Sequence, residues 1–108
     1  MPEPGGYRPA SRRYQRRYRY VYRRHVFDKL RSIDLSLAEF QELLGEGEVI
    51  AEASEGPDEH KQLVLLVEWV RPLHVSIVVD VGRQEERLVT VYEPDDAIWT
   101  PDRRRRRR

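Results

Sequence analysis

Cysteine is absent from the chain, which removes disulfide stapling, thiolate nucleophiles and Cys-based zinc or iron–sulfur sites together. Long apolar runs are missing too. The longest, Leu63 to Val70, is interrupted by Glu68 and falls far short of the roughly 20 residues that cross a bilayer. The opening Met-Pro-Glu-Pro-Gly-Gly has no apolar segment of signal-peptide length. No membrane association and a cytoplasmic location are therefore the expectations. Only three histidines are present. His60, beside Asp58 and Glu59, has no second cluster to complete a ligand set, so neither a metal nor another cofactor is expected.

Charge is plentiful, and its near balance conceals an uneven distribution. The 108 residues carry 20 Lys+Arg and 19 Asp+Glu. Residues 1–25 hold eight Arg and one Glu, a net +7, and residues 103–108 are six Arg, a net +6. The body between them, residues 26–102, is at −12. Two basic arms thus flank an acidic body.

The hydrophobic material lies almost entirely between Val26 and Trp99, so roughly 75 residues must supply one core. Residues 1–13, with Pro2, Pro4, Gly5, Gly6 and Pro9, read as a disordered basic leader. Residues 14–102 read as a single domain, and residues 103–108 as a poly-Arg tail. Tyr18, Tyr20 and Tyr22 at period two suggest a strand near 17–22. Val26, Phe27, Leu30 and Ile33 fall at helical spacing over 25–33. Ser36-Leu37-Ala38-Glu39 has the form of a capping box opening a second helix, with Leu37, Phe40, Leu43 and Leu44 as its stripe. Gly45 and Gly47 read as a left-handed stop.

The period then falls to two. Strands are expected over 48–53, 63–70, 73–81 and 87–93, with turns at 54–58 and 82–86 and a break at Arg71-Pro72. Helices followed by a run of strands imply an α+β domain, with two helices packed on one face of a mostly antiparallel four- to five-stranded sheet.

Several motifs carry a family resemblance. These are the His at the start of the first helix, Ile33 before the Ser36 cap, Gly45-Glu46-Gly47-Glu48-Val49-Ile50 and Arg71-Pro72-Leu73-His74-Val75. To them are added Val89-Thr90-Val91-Tyr92-Glu93-Pro94, Trp99 and the closing Arg run. Over His25–Arg108 the chain resembles the bacterial family catalogued as domain of unknown function 4258, and more distantly the RelE/ParE-like and BrnT-like toxins. The resemblance implies a RelE-like layout, a toxin–antitoxin context with a cognate antitoxin as partner, and, as in some of those toxins, cleavage of RNA. The acidic body departs from the basic RNA-facing sheet usual in such toxins.

Metal-independent RNA cleavage needs a base, an acid and a cation for the developing phosphate charge. His25, Arg71, His74 and Tyr92 supply those types. His74 is expected to share a sheet face with Tyr92, and His25 to sit at a helix N-terminus, where free N–H groups favour phosphate. Each has a plainer role open to it: helix capping for His25, packing for Tyr92, a cross-strand hydrogen bond for His74 and a surface turn for Arg71.

The second functional reading is a noncatalytic nucleic-acid or protein binding module. It would use Arg16, Arg17, Arg19, Arg23, Arg24, Arg103 and Arg104 on phosphates, with interleaved tyrosines stacking on bases. The tail could instead fold against the acidic body. The acids Glu46, Glu48, Glu52, Glu55, Asp58 and Glu59 form a solvated face or receive basic arms from a second copy, which leaves self-association open.

Overall fold

A computed structural model describes residues 10–12 and 18–108. In chain order the elements are β1 (Ala10–Ser11), β2 (Arg19–Tyr22), α1 (Arg24–Ser32), α2 (Leu37–Gly45), β3 (Glu48–Ser54), β4 (Glu59–Leu66), β5 (Leu73–Asp80) and β6 (Glu85–Tyr92). The architecture is α+β, as the order of periodicities implies. The strands form one sheet in the order β1-β3-β4-β5-β6-β2. Every pairing is antiparallel except β2 on β6, which is parallel. The early Tyr/Arg segment thereby closes the sheet against its last strand, a placement that period two alone does not reveal.

Side-chain alternation sorts the sheet into two faces. Leu73, Val75, Ile77 and Val79 of β5 oppose Leu66 and Val64 on β4 and Val91 and Leu88 on β6. These side chains form one buried cluster with Val26 and Leu30 of α1, Leu35, and Phe40 and Leu44 of α2. Fully burying each such side chain is worth about 1.5–3 kcal/mol. Tyr18, Tyr20 and Tyr22 pack against the same cluster, and Tyr22 lies 5.2 Å from Phe27 and 6.5 Å from Phe40. These three rings, each half-buried, support the core.

Local chemistry explains the helix ends. The Ser36 Oγ accepts from the Glu39 N–H at 3.1 Å and donates to the Glu39 carboxylate. The Ser36 half of the expected capping box is therefore present, while the Glu39 carboxylate takes the Ser hydroxyl in place of the Ser36 N–H. At the other end of α2 the expected left-handed stop is not found, since among the described glycines only Gly56 has a positive φ. Gly47 serves proximity instead. A Cβ there would stand 2.5 Å from Val64 Cγ1 and 2.9 Å from Leu66 Cδ2, so the turn into β3 presses directly onto β4.

Two expected boundaries shift. The strand expected over 63–70 runs over Glu59–Leu66, and Val67 to Val70 lie in the following loop with Val70 83% exposed. An apolar run without alternation could not fix its own start. The β5–β6 turn is tighter than the expected 82–86 loop, and Tyr92 stands directly opposite His74 on the face they were expected to share. A bulge opposite Ser76/Ile77 then turns Leu88 and Val91 toward the same buried cluster.

The segment expected as a leader falls largely outside the described residues, but residues 10–12 are placed. The backbone of β1 pairs with Val49 and Glu48. Arg12 is 2% exposed, forms an ion pair with the equally buried Glu86, and donates to Gln62 Oε1 at 2.9 Å. Gln62 passes the chain of bonds on to Glu52, which also meets His60 at 3.3 Å. Elsewhere on the sheet Arg87 joins Glu59, Asp80 and Glu85, one acid from each of β4, β5 and β6.

The Gly47 contact is directly testable. Gly47→Ala should lower unfolding stability by about 1–3 kcal/mol, because its methyl meets buried side chains of β4. A urea midpoint equal to that of the parent protein would show that the turn does not press on the strand.

Candidate functional site

Of the four residues expected to carry chemistry, the fold brings two together. His74 near the start of β5 and Tyr92 at the end of β6 are directly opposite. The His74 Nδ1 lies 3.1 Å from the Tyr92 hydroxyl, and Nε2 lies 2.8 Å from the backbone carbonyl of Arg103. A carbonyl only accepts, so Nε2 carries the proton and Nδ1 accepts from Tyr92. This is the neutral tautomer with both ring nitrogens engaged. The ring is 0% exposed and meets Trp99 edge-on at 4.3 Å.

The electrostatics agree with that tautomer. Burial pushes the His74 pKa below its ordinary 6.5; the Arg103 carbonyl acts in the opposite direction and the Arg103 charge adds to the lowering. Burial raises the Tyr92 pKa. Neither group is charged at neutral pH.

What covers the pair is a segment that includes the poly-Arg tail, which folds back on the body. Asp95 starts a turn by accepting at its carbonyl from the Ile98 and Trp99 N–H groups. Trp99 then bridges antiparallel to Arg106, Thr100 N–H donates to the Arg105 carbonyl, and Arg107 N–H donates to the Ile98 carbonyl at 2.7 Å. Arg103 takes φ +64 at the reversal. The arginine run is the returning limb of a small hairpin lying on the body. Arg104 clasps both carboxylate oxygens of Glu48 at 2.6 and 2.8 Å, Arg103 pairs with Asp96, and Arg106 stacks 5.8 Å from the Trp99 ring centre.

The other two expected residues stand apart. His25 is exposed on the first turn of α1. Arg71, in the β4–β5 loop, pairs with Glu93 at 3.3 Å and lies 5.3 Å from the Trp69 ring centre. Among the described residues neither makes a hydrogen bond, ion pair or ring contact with His74 or Tyr92.

Of the candidate phosphate contacts, Arg16 and Arg17 lie outside the described residues. Arg19 is exposed but tied to Glu85, Arg23 and Arg24 are exposed at the head of α1, and Arg103 and Arg104 are spent on the body. The acidic run is likewise divided into pairs: Glu48 with Arg104, Glu52 with His60, Glu55 with Lys61 and Glu59 with Arg87. Among the described residues no group of three or more histidine or acidic side chains is arranged to hold a metal.

Sequence reasoning missed the Arg103 carbonyl and the role of Trp99. Backbone acceptors leave no trace in composition, although the aromatic at 99 ahead of a charged run was a usable signal. No protein-family model, curated protein or solved structure matches the chain.

Two outcomes follow for His74. His74→Phe keeps the ring's bulk but leaves the Arg103 carbonyl and Tyr92 hydroxyl without partners, a loss of about 1–3 kcal/mol. Trypsin should then cut within residues 103–108 about tenfold faster, since cleavage follows the open population. Equal rates would show that the ring does not hold the hairpin. The pH dependence has a fixed sign. With the folded pKa lowered, the unfolded chain takes the proton first, so the His74 contribution is complete above about pH 6.5 and is lost as pH falls below it. Urea midpoints at pH 7.5 and 5.5 should diverge more in the parent than in His74→Phe.

Proposed function

We propose that this chain is a toxin-like, noncatalytic binding module that grips the phosphate backbone of RNA through its arginine-rich ends, with both helices on one sheet face in a RelE-like layout. One observation carries the reading. His74, the best-placed base in the sequence, is sealed from solvent with both nitrogens hydrogen-bonded, and general base catalysis needs a nitrogen that can reach the proton it removes. His25 and Arg71 do not complete a site around it.

The exposed cations remain as a source of affinity. Arg105 and Arg108 project from the hairpin limb, and Arg23 and Arg24 stand at the start of α1. The acidic body repels polyanions, which confines contact to the ends. Such binding is sequence-tolerant and salt-dependent.

A second reading, the metal-independent endoribonuclease, draws on the 3.1 Å contact between His74 and Tyr92. The pair would become reachable if the covering hairpin lifted.

Fluorescence anisotropy with a labelled mixed single-stranded RNA separates the two. Affinity should fall steeply between 50 and 200 mM salt, on the order of the dependence expected of phosphate contacts. Replacing Arg105 and Arg108 by Ser should flatten the log–log slope by about 1.4, at about 0.7 per phosphate contact. The RNA should stay intact in EDTA. Cleavage by the parent protein that is lost in His74→Ala overturns the binding reading and favours the nuclease.

A further inference from the structure

Between α2 and the β4–β5 loop lies a groove of about 280 Å³ that the RNA-binding reading does not use. Its floor is apolar, made by Leu43 and the half-buried Trp69. Glu39, Glu42 and Glu46 line it from one stripe of α2, at helical spacing with Leu43, and Glu68 adds a fourth carboxylate from the loop. Glu39 is already bonded to Ser36. Glu42 and Glu68 have no ion pair among the described residues. Beside the groove the apolar Val67 and Val70 are exposed.

The Trp69 ring shows what chemistry suits this place. It takes a guanidinium from Arg71 at 5.3 Å, the stacking that arginine makes better than lysine. An aromatic floor flanked by Glu42 and Glu68, neither in an ion pair among the described residues, fits an arginine-bearing segment. The chain itself carries one. Arg105 and Arg108 are exposed, with no side-chain hydrogen bond or ion pair among the described residues, while their neighbours are held by Glu48, Asp96 and Trp99.

We propose that this groove docks the arginine limb, Arg105–Arg108, of a second copy of the chain. The argument is charge complementarity: a body at −12 in which Glu42 and Glu68, without ion pairs among the described residues, flank an aromatic ring, and a terminal run at +6 in which Arg105 and Arg108 have no side-chain partner among the described residues. Each copy offers one groove and one limb. Association is therefore either a reciprocal exchange between two copies or a head-to-tail chain.

Sedimentation velocity on the full-length, nuclease-treated protein tests this without RNA, so its outcome stands apart from that of the anisotropy experiment. At low salt the weight-average mass should rise with concentration, and the rise should vanish near 0.5 M salt as the charges are screened. Glu42→Gln with Glu68→Gln should weaken association about two- to tenfold, and Trp69→Leu by a similar factor. Both acids are exposed, so the fold is not at risk. The decisive variant pair is Glu42→Arg/Glu68→Arg mixed with Arg105→Glu/Arg108→Glu: the mixture should associate although each variant alone does not. A protein that stays monomeric at low salt overturns the proposal. So does association that the groove variants leave unchanged, since the contact then lies elsewhere.

Discussion

The hydrogen bond from the His74 ring to the carbonyl of Arg103 decides what the last residues of this chain are. Six consecutive arginines repel one another and offer only their short aliphatic stems for burial. They take a defined course because a neutral imidazole, desolvated between Tyr92 and Trp99, fixes one carbonyl of the run. From that point Arg104 reaches Glu48, Arg106 reaches Trp99, and the limb pairs back on residues 98–100. Neutrality is essential, because a buried imidazolium would add a cation to a segment already rich in them.

The same economy governs the other end of the chain. Arg12 is buried against Glu86 and Gln62, where a charge left alone would cost several kcal/mol. Among the described residues Arg12 and Arg19 at one end and Arg104 at the other thus meet carboxylates of the sheet, while Arg23, Arg24, Arg105 and Arg108 stand in solvent. The acidic body is the counterpart that positions the arms, and the opposed charges of the composition describe one assembled domain.

Legibility followed the strength of the local signal. The α2 start could be read because Ser36 and Glu39 state a specific hydrogen-bond pattern. β5 could be read because Leu73, Val75, Ile77 and Val79 alternate with more polar neighbours. The His74–Tyr92 shared face followed from the same alternation. β4 was misplaced because Leu63 to Val70 is apolar at nearly every position and offers no phase. Gly47 was assigned a backbone role when its reason is the close approach of Val64 and Leu66, a tertiary fact. The parallel closure of β2 on β6 and the burial of Arg12 depend on contacts more than 60 residues apart, which no window of sequence contains.

That parallel closure also orders events in time. A ribosome releases Tyr18, Tyr20 and Tyr22 long before the strand they pair with, since Arg19 and Glu85 are 66 residues apart. The carboxylate for Arg12 sits on the same late strand. Until β6 emerges, the nascent chain carries an unsatisfied edge with three aromatic rings and a cation without its partner. Completion of the sheet must then await β6, and the hairpin seated on His74 and Tyr92 can close only after that strand is in place. A domain wired in this way gains little from folding piecemeal during synthesis; its topology favours assembly as a single late step.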